Sequence, residues 1–404
     1  MESTDWGYIN PLYLWCTTFG IFPPHKFGDN VSPVSLKFKI YVLLLIPTII
    51  SISVYSLIGR ENFLYTSLDV TVATTDLLAE ITLTLLNVVL RLLFVFCYHN
   101  PIKTFLNKIY RISKEPHFKC YTVRNFWVQF CGFNIYMVFV MVFDVYIWSS
   151  TMGWTIYKFY IGRTFMIYAC NITLLFIVHS ALITKQLFTS LHHLLKTIVG
   201  NLVCENDAKS GYILTEFKVK AATKTNYNCC HLREVRKYYN EICGLVDDFN
   251  NIYGTVILLV MIYVIAYILN LTDMLLVYSN AKSRNINGVE YGTELTLLCV
   301  SWMITLLLFS FLLAKSCSNA VSESENILTV CFIWLNEIPT IPKTFKQQML
   351  KEEILLLVQQ VTTRKPKFSA AGFFPVDFTL LGFILGSVTS YTIVSVQFFS
   401  SKEN

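Results

Sequence analysis

Seven stretches of the chain are apolar for long enough to cross a bilayer as helices: 39–59, 78–98, 128–148, 161–183, 252–278, 294–314 and 376–399. At a rise of about 1.5 Å per residue, roughly 20 residues span the hydrocarbon. Two stretches continue past the length a membrane needs. The fourth runs without a breaker into 184–203, and the sixth runs on through 316–336 until Pro339 and Pro342 stop it, so both are expected to project as helices into water. Residues 232–251 carry a helical pattern leading into the fifth span, whereas 204–231 is polar, Lys-rich and aperiodic and is expected to form a flexible loop. Residues 1–37 mix Pro23-Pro24 with aromatics and are expected to lie irregularly on the inner surface. Pro47 is expected to kink the first span by removing a backbone donor. Over 344–361, Leu350, Ile354, Leu357 and Val361 form a seam at 3–4 spacing, which packs either on helices of the same chain or on another subunit.

The last span differs from the others in having a face that is not greasy. Ser387, Ser390, Val394 and Gln397 recur at helical spacing, while Phe378, Phe383 and Leu385 fall largely elsewhere. Such a stripe suits either water or a close helix neighbour. The segment Gly372-Phe373-Phe374-Pro375 should break the chain just before it.

Composition settles the class. With 54% hydrophobic and 14% charged residues over 404 positions, the chain is too apolar for a soluble globule and reads as an all-α polytopic membrane protein. Orientation follows from Lys and Arg in the connections, which tend to stay cytoplasmic. With the N-terminus inside, the inner segments hold 24 of them and the outer segments only Arg60, Lys158, Lys282, Arg284 and Lys402. The expected topology is therefore N-terminus cytoplasmic and C-terminus extracellular, opposite to that of a G-protein-coupled receptor. None of the 12 cysteines falls in an outer loop, which suits free thiols. Residues 1–29 contain acids and prolines but no apolar run ahead of a small-residue cleavage site, so the first span is expected to serve as the targeting signal. The net charge of +6 is accounted for by topology, and no nucleic-acid partner is inferred from it.

The last span carries Tyr391, then five residues, then Gln397-Phe398. This resembles the signature of insect gustatory receptors, with Ser390 where that family usually has Thr. The resemblance implies a tastant-gated, nonselective cation channel of the plasma membrane of gustatory neurons, assembled as a homotetramer or a heterotetramer with related receptors. It implies a division into a cytoplasmic segment 1–38, a six-helix ligand-binding region 39–314 with an inner loop 184–250, an anchor 315–375 and a pore-lining span with its tail, 376–404. In such a pore Gln397 and Phe398 would lie near the outer end, Val394, Ser390 and Ser387 would continue the face inward, and Tyr391 would act as a hydrogen-bonding strut.

Ionisable residues inside spans are costly and usually face an interior, a partner or water. Glu80, Asp144, Arg163 and Asp273 all fall in the outer parts of their spans, with Trp148, Tyr168, Tyr267, Asn270 and Trp302 around them and Tyr146, Asn171 and Tyr278 nearby. Aromatic walls with a few placed polar groups suit a small-molecule pocket. Alternatively the acids pair with Arg163 and the aromatics sit at headgroup level. A cationic alkaloid would match uncompensated carboxylates; a sugar would prefer uncharged polar groups between rings. A bitter plant compound, alkaloid or glucoside, is the expected ligand, with a sugar as the alternative. A metabotropic seven-span receptor is the rival of another class, and a transporter would show internal repeats or paired broken spans. Cys229-Cys230-His231 lacks the separated pairs of a zinc site, and no phosphate loop, paired-His zinc helix or nucleophile elbow is present, so neither cofactor nor catalysis is expected.

Overall fold

A computed structural model describes residues 10–24, 33–65, 70–118, 123–151, 153–207, 217–279, 285–286, 289–290, 293–338 and 345–403. Its elements in chain order are α1 (Asn10–Thr18), α2 (Leu36–Arg60) continued by a π-turn over Glu61–Tyr65, α3 (Val70–Leu92) continued by a second π-turn over Leu93–Cys97, α4 (His99–Ser113), α5 (Val123–Thr151), α6 (Trp154–Tyr157), α7 (Ile161–Asp207), α8 (Phe217–Ser279), α9 (Thr293–Glu337), α10 (Phe345–Thr363) and α11 (Thr379–Glu403). Two short antiparallel hairpins, β1–β2 (Asn285–Ile286, Val289–Glu290) and β3–β4 (Ser369–Ala370, Phe374–Pro375), precede α9 and α11. Among the described residues seven helices, α2, α3, α5, α7, α8, α9 and α11, are long and apolar enough to cross a membrane.

Burial ranks these spans. The most apolar stretch of α7 is 89% buried and that of α11 only 17% buried, so α7 is the bundle's axis and α11 hangs on its side. α7 packs chiefly on α9 and α8, and α3 on α8. α11 touches α8 and α9 through one stripe, Leu380, Ile384, Val388, Tyr391 and Ser395, while Phe383, Leu385, Ile393 and Val394 stand exposed. It starts where Asp377 Oδ1 accepts from the Thr379 amide at 2.8 Å, a side-chain N-cap.

Two expectations change. Residues 1–37 are not irregular throughout: 10–18 form α1, and Tyr13, Cys16 and Phe22 are wholly or almost wholly buried against the bundle, with Tyr13 OH donating to the Pro23 carbonyl at 2.5 Å. The aromatics that made the segment look aperiodic are its anchors, Phe22 packing 4.6 Å from Phe176 of α7 and 4.9 Å from Phe94. Nor is 204–231 a loop throughout, because α7 reaches Asp207 and α8 begins at Phe217. A helix seeded by the buried turn at Leu232, Val235 and Tyr239 propagates backward at little cost per residue, which composition alone does not reveal. α2 runs through Pro47 as one helix.

At the end of the bundle away from Arg60, α8 carries the load. Lys108 of α4 meets Asp248 at 2.5 Å, and Arg111 meets Glu241 at 3.3 Å. Glu353 of α10 bridges Arg233 at 2.7 Å and Arg236 at 2.9 Å. The seam on α10 turns inward on its own chain: Ile354, Leu357 and Val361 are buried against α8 and α9. The β3–β4 hairpin lies directly on α8 where Asn250 pins its first strand, accepting from the Ser369 amide at 2.9 Å and donating to the Lys367 carbonyl at 2.6 Å. Its turn places Ala371 and Gly372 at φ 51° and 79°. The approach requires Gly254, since a Cβ there would sit 2.8 Å from the Ala371 backbone nitrogen. Gly254→Ala should therefore force hairpin and helix apart, costing about 1–3 kcal/mol as overpacking does. A lowered melting temperature of the detergent-solubilised protein would show it, and an unchanged one would refute the packing.

Candidate functional site

At the Arg60 end of the bundle four charges are buried together. Helical periodicity puts Asp76 and Glu80 on one face of α3, four residues apart. Arg60, the last residue of α2, reaches both, with Nη1 2.6 Å from Asp76 Oδ2 and Nη2 2.7 Å from Glu80 Oε2. Arg163, in the first turn of α7, places Nη1 2.6 Å from Asp76 Oδ1 and Nε 4.0 Å from Glu80 Oε2. Two guanidiniums and two carboxylates thus cancel in a region where an uncompensated charge would be prohibitive. Hydroxyls and rings complete the shell. Tyr65 donates to Asp76 at 2.7 Å, Ser53 to Glu80 at 3.1 Å and Asn270 of α8 to Asp76 at 3.3 Å. Tyr160 lies 4.8 Å from the Arg60 guanidinium, and Tyr267 lies 4.5 Å from that of Arg163, both within cation–π reach.

Beside this cluster α5, α7, α8 and α9 leave a cavity of about 440 Å³, counting its opening to solvent. Its wall is built from one face of each helix: Asp144 and Trp148 from α5, Arg163, Thr164 and Ile167 from α7, Tyr267, Asn270, Leu271 and Met274 from α8, and Leu298, Cys299 and Trp302 from α9, with Tyr160 between α6 and α7. The space enclosed between the walls is only about 30 Å³, room for a water rather than a ligand, so the walls stand close. Trp148 stacks on Tyr160 at 4.8 Å, and Trp302 donates its indole N–H to Asp144 Oδ1 at 3.0 Å.

Of the residues expected around a ligand, Asp144, Trp148, Arg163, Tyr267, Asn270 and Trp302 come together on this wall. Three others lie off it. Glu80 stands behind Arg163 in the charge cluster. Tyr168 turns away from the wall, donating to Asn134 at 2.7 Å and packing 5.6 Å from Phe19. Asp273 points from α8 toward the last helix. Of the nearby residues, Tyr146 is exposed and Asn171 is buried with its amide 3.7 Å from Met137 Sδ; the Tyr278 side chain is outside the described residues.

Asp273 is wholly buried and, among the described residues, held by hydroxyls alone: Thr75 of α3 at 3.0 Å and Tyr391 at 2.6 Å on Oδ2, and Ser395 at 3.1 Å on Oδ1. Tyr391 and Ser395, one helical turn apart, thus fasten α11 to α8. Ser390, Val394 and Gln397 lie on the exposed side of α11 and Ser387 is half-buried; the Phe398 side chain falls outside the described residues.

Sequence reasoning placed Arg60 among outer-loop charges and gave Asp76 no role. The available signal was the i, i+4 pair of acids at 76 and 80, which needs two cations if its face is buried. No group of metal-ligating residues occurs among the described residues. Arg60→Met should leave two buried carboxylates sharing one guanidinium and cost about 3–5 kcal/mol. Surface delivery and melting temperature should both fall, with part of the loss recovered in the double variant Arg60→Met, Glu80→Gln.

Comparison with known proteins follows from this arrangement. The curated proteins yield no match to the sequence. Among solved structures, the insect olfactory receptor OR5 from Machilis hrabei superposes with a TM-score of 0.57 at 13% identity, covering 97% of this chain and 98% of that one. The same receptor in complex with eugenol superposes equally, with a TM-score of 0.57 at 13% identity over 97% and 98% of the two chains. At that identity the likeness establishes the fold alone, a seven-helix bundle. Residues 9–401 match the family described as 7tm Chemosensory receptor, so this multi-pass membrane protein belongs to that chemosensory receptor family.

Proposed function

We propose that the chain is a gustatory receptor and a subunit of a tastant-gated, nonselective cation channel. The observation that carries this reading is the attachment of α11 by one face only. Tyr391 and Ser395 hold it to Asp273, and Ser390, Val394 and Gln397 are left exposed on a polar and small-residue face. Four copies of that face around an axis would make a pore, with Gln397 and Phe398 near its outer mouth and Ser387 deeper. Exposed Phe332 and Ile333 of α9 and Leu355 and Leu356 of α10 offer apolar surface for contacts between copies, homomeric or with related receptors. The likeness to a receptor solved with eugenol supports a small-molecule ligand, and the cavity between α5, α7, α8 and α9 is the site for it. The ligand is a bitter plant compound of the alkaloid or glucoside class; a sugar is the second reading, favoured by Asn270 and Thr164 between the rings. Ligand binding would open the pore by differential affinity for the open state. The N-terminus would be cytoplasmic and the C-terminus extracellular, in the plasma membrane of gustatory neurons.

The test is current in excised patches from cells expressing this chain, without GTP, during exposure to alkaloids, glucosides and sugars. Ligand-evoked current altered in Gln397→Ala supports the channel. A response that needs GTP and a G protein refutes it. Tyr391→Phe removes one hydrogen bond to a buried carboxylate, worth about 1.5–3 kcal/mol. Evoked current in that variant is expected to fall about tenfold with surface delivery unchanged.

A further inference from the structure

We infer that the cavity selects a neutral ligand carrying neighbouring hydroxyl groups, a polyol or glycoside, over a protonated amine; this rests on the reading of the cavity as the tastant site.

The argument starts from polar atoms that folding has left unmatched. Arg163 spends Nη1 on Asp76, but Nη2 is buried without a hydrogen-bond partner among the described residues. Asn270 spends its amide on the same carboxylate, and its Oδ1 is likewise buried and unmatched. Both residues line the cavity. Asp144 joins them on the wall with Oδ1 taken by Trp302, and it forms no ion pair with a described residue. Once the close walls part for a ligand, these residues therefore offer it a charged donor, a neutral acceptor and a carboxylate acceptor. Buried groups of this kind are costly to leave unsatisfied, so a ligand that meets them gains more than its contact area suggests.

Donor and acceptor character then sorts the ligand classes. A protonated amine only donates: it would serve Asn270 and Asp144, leave Nη2 unmatched and bring a second positive charge into the cavity beside a guanidinium. A carboxylate would serve Nη2 but face Asp144. A hydroxyl both accepts and donates, so a pair of them answers Nη2 and Oδ1 together without changing the charge. Asp144 does add a third acid to a balanced quartet, which by charge alone would draw a cation. With the unmatched donor a guanidinium nitrogen on the same wall, the hydroxyl solution is the one that answers Nη2, Oδ1 and Asp144 together. Trp148, Tyr267 and Trp302 supply flat apolar walls against which the C–H faces of a ring can lie. The close walls mean that side chains must part to admit it, and Met274, unbranched and flexible, is the one best able to move.

The test uses the full chain purified in lipid nanodiscs, with binding read by tryptophan fluorescence, since Trp148 and Trp302 stand in the wall. The probes are myo-inositol, glucose and phenyl β-glucoside, against benzylammonium and benzoate. At least one hydroxylated probe should bind saturably, with the ammonium and benzoate at least about tenfold weaker. Asn270→Leu and Arg163→Lys should each weaken that probe by about tenfold, as loss of one hydrogen bond does. Equal or tighter binding of the ammonium or benzoate overturns the inference, as does the failure of every hydroxylated probe to bind the folded protein. Hydroxylated-probe binding untouched by both variants places the site elsewhere and also overturns it. The wild-type ranking needs no variant to fold. Channel recordings separate the two readings: binding of a glycoside without current removes the channel and leaves the selectivity, whereas current evoked by the ammonium alone removes the selectivity and leaves the channel.

Discussion

The carboxylate of Asp76 accepts from Arg60, Arg163, Tyr65 and Asn270, and the rest of this end of the molecule is arranged so that it can. Four charges taken out of water are tolerable only as a set, each within hydrogen-bond or ion-pair distance of an opposite one. That requirement fixes α2, α3, α7 and α8 relative to one another more tightly than apolar packing would, because apolar contacts in a bilayer gain little over lipid. It matters most for α2, whose most apolar stretch is only 28% buried and whose Arg60 reaches into the cluster from its end.

The cluster and the last helix are served by the same two elements in different directions. On α3, Thr75 and Asp76 are neighbours about 100° apart around the helix. Asp76 faces the guanidiniums, and Thr75 donates to Asp273. On α8, Asn270 and Asp273 are one turn apart, the first on the cavity and the second clasped by Tyr391 and Ser395 of α11. A linkage thus runs from the cavity wall to the last helix, made of two hydrogen-bonded sets joined by the backbone between Thr75 and Asp76. Under the channel proposal it is the element through which a change in the cavity would be felt at α11, and a carboxylate held only by hydroxyls can be released at lower cost than one locked in an ion pair.

The opposite end follows another logic. There α8 and α9 run on past the bilayer length, and surface ion pairs and a hairpin tie α4 and α10 to α8. Such pairs contribute little individually, and the buried seam of Ile354, Leu357 and Val361 does more to hold α10 in place. This turns the remaining apolar residues of α9 and α10 outward.

What the sequence determined by itself is what local pattern and local chemistry decide. Seven apolar runs of bilayer length, the unbroken continuation of the fourth and sixth, the break before the last span and the Tyr391–Gln397-Phe398 spacing are all readable along one dimension, because hydropathy and helix periodicity act between near neighbours. The helix at 10–18 and the helical start at Phe217 were not readable, since their stability comes from what they pack on or extend. The candidate site divides the same way. That aromatic and ionisable residues near 144–163 and 267–302 would lie near one another could be expected from span positions. Which of them share a wall could not, because a rotation of α7 or α8 by one residue exchanges Tyr168 or Asp273 for a cavity-lining neighbour. Arg60 and Asp76 are the clearest case. Read along the chain they are charges at the ends of two spans, and only the tertiary structure, by bringing them within 2.6 Å and out of water, makes them the pair on which the bundle turns.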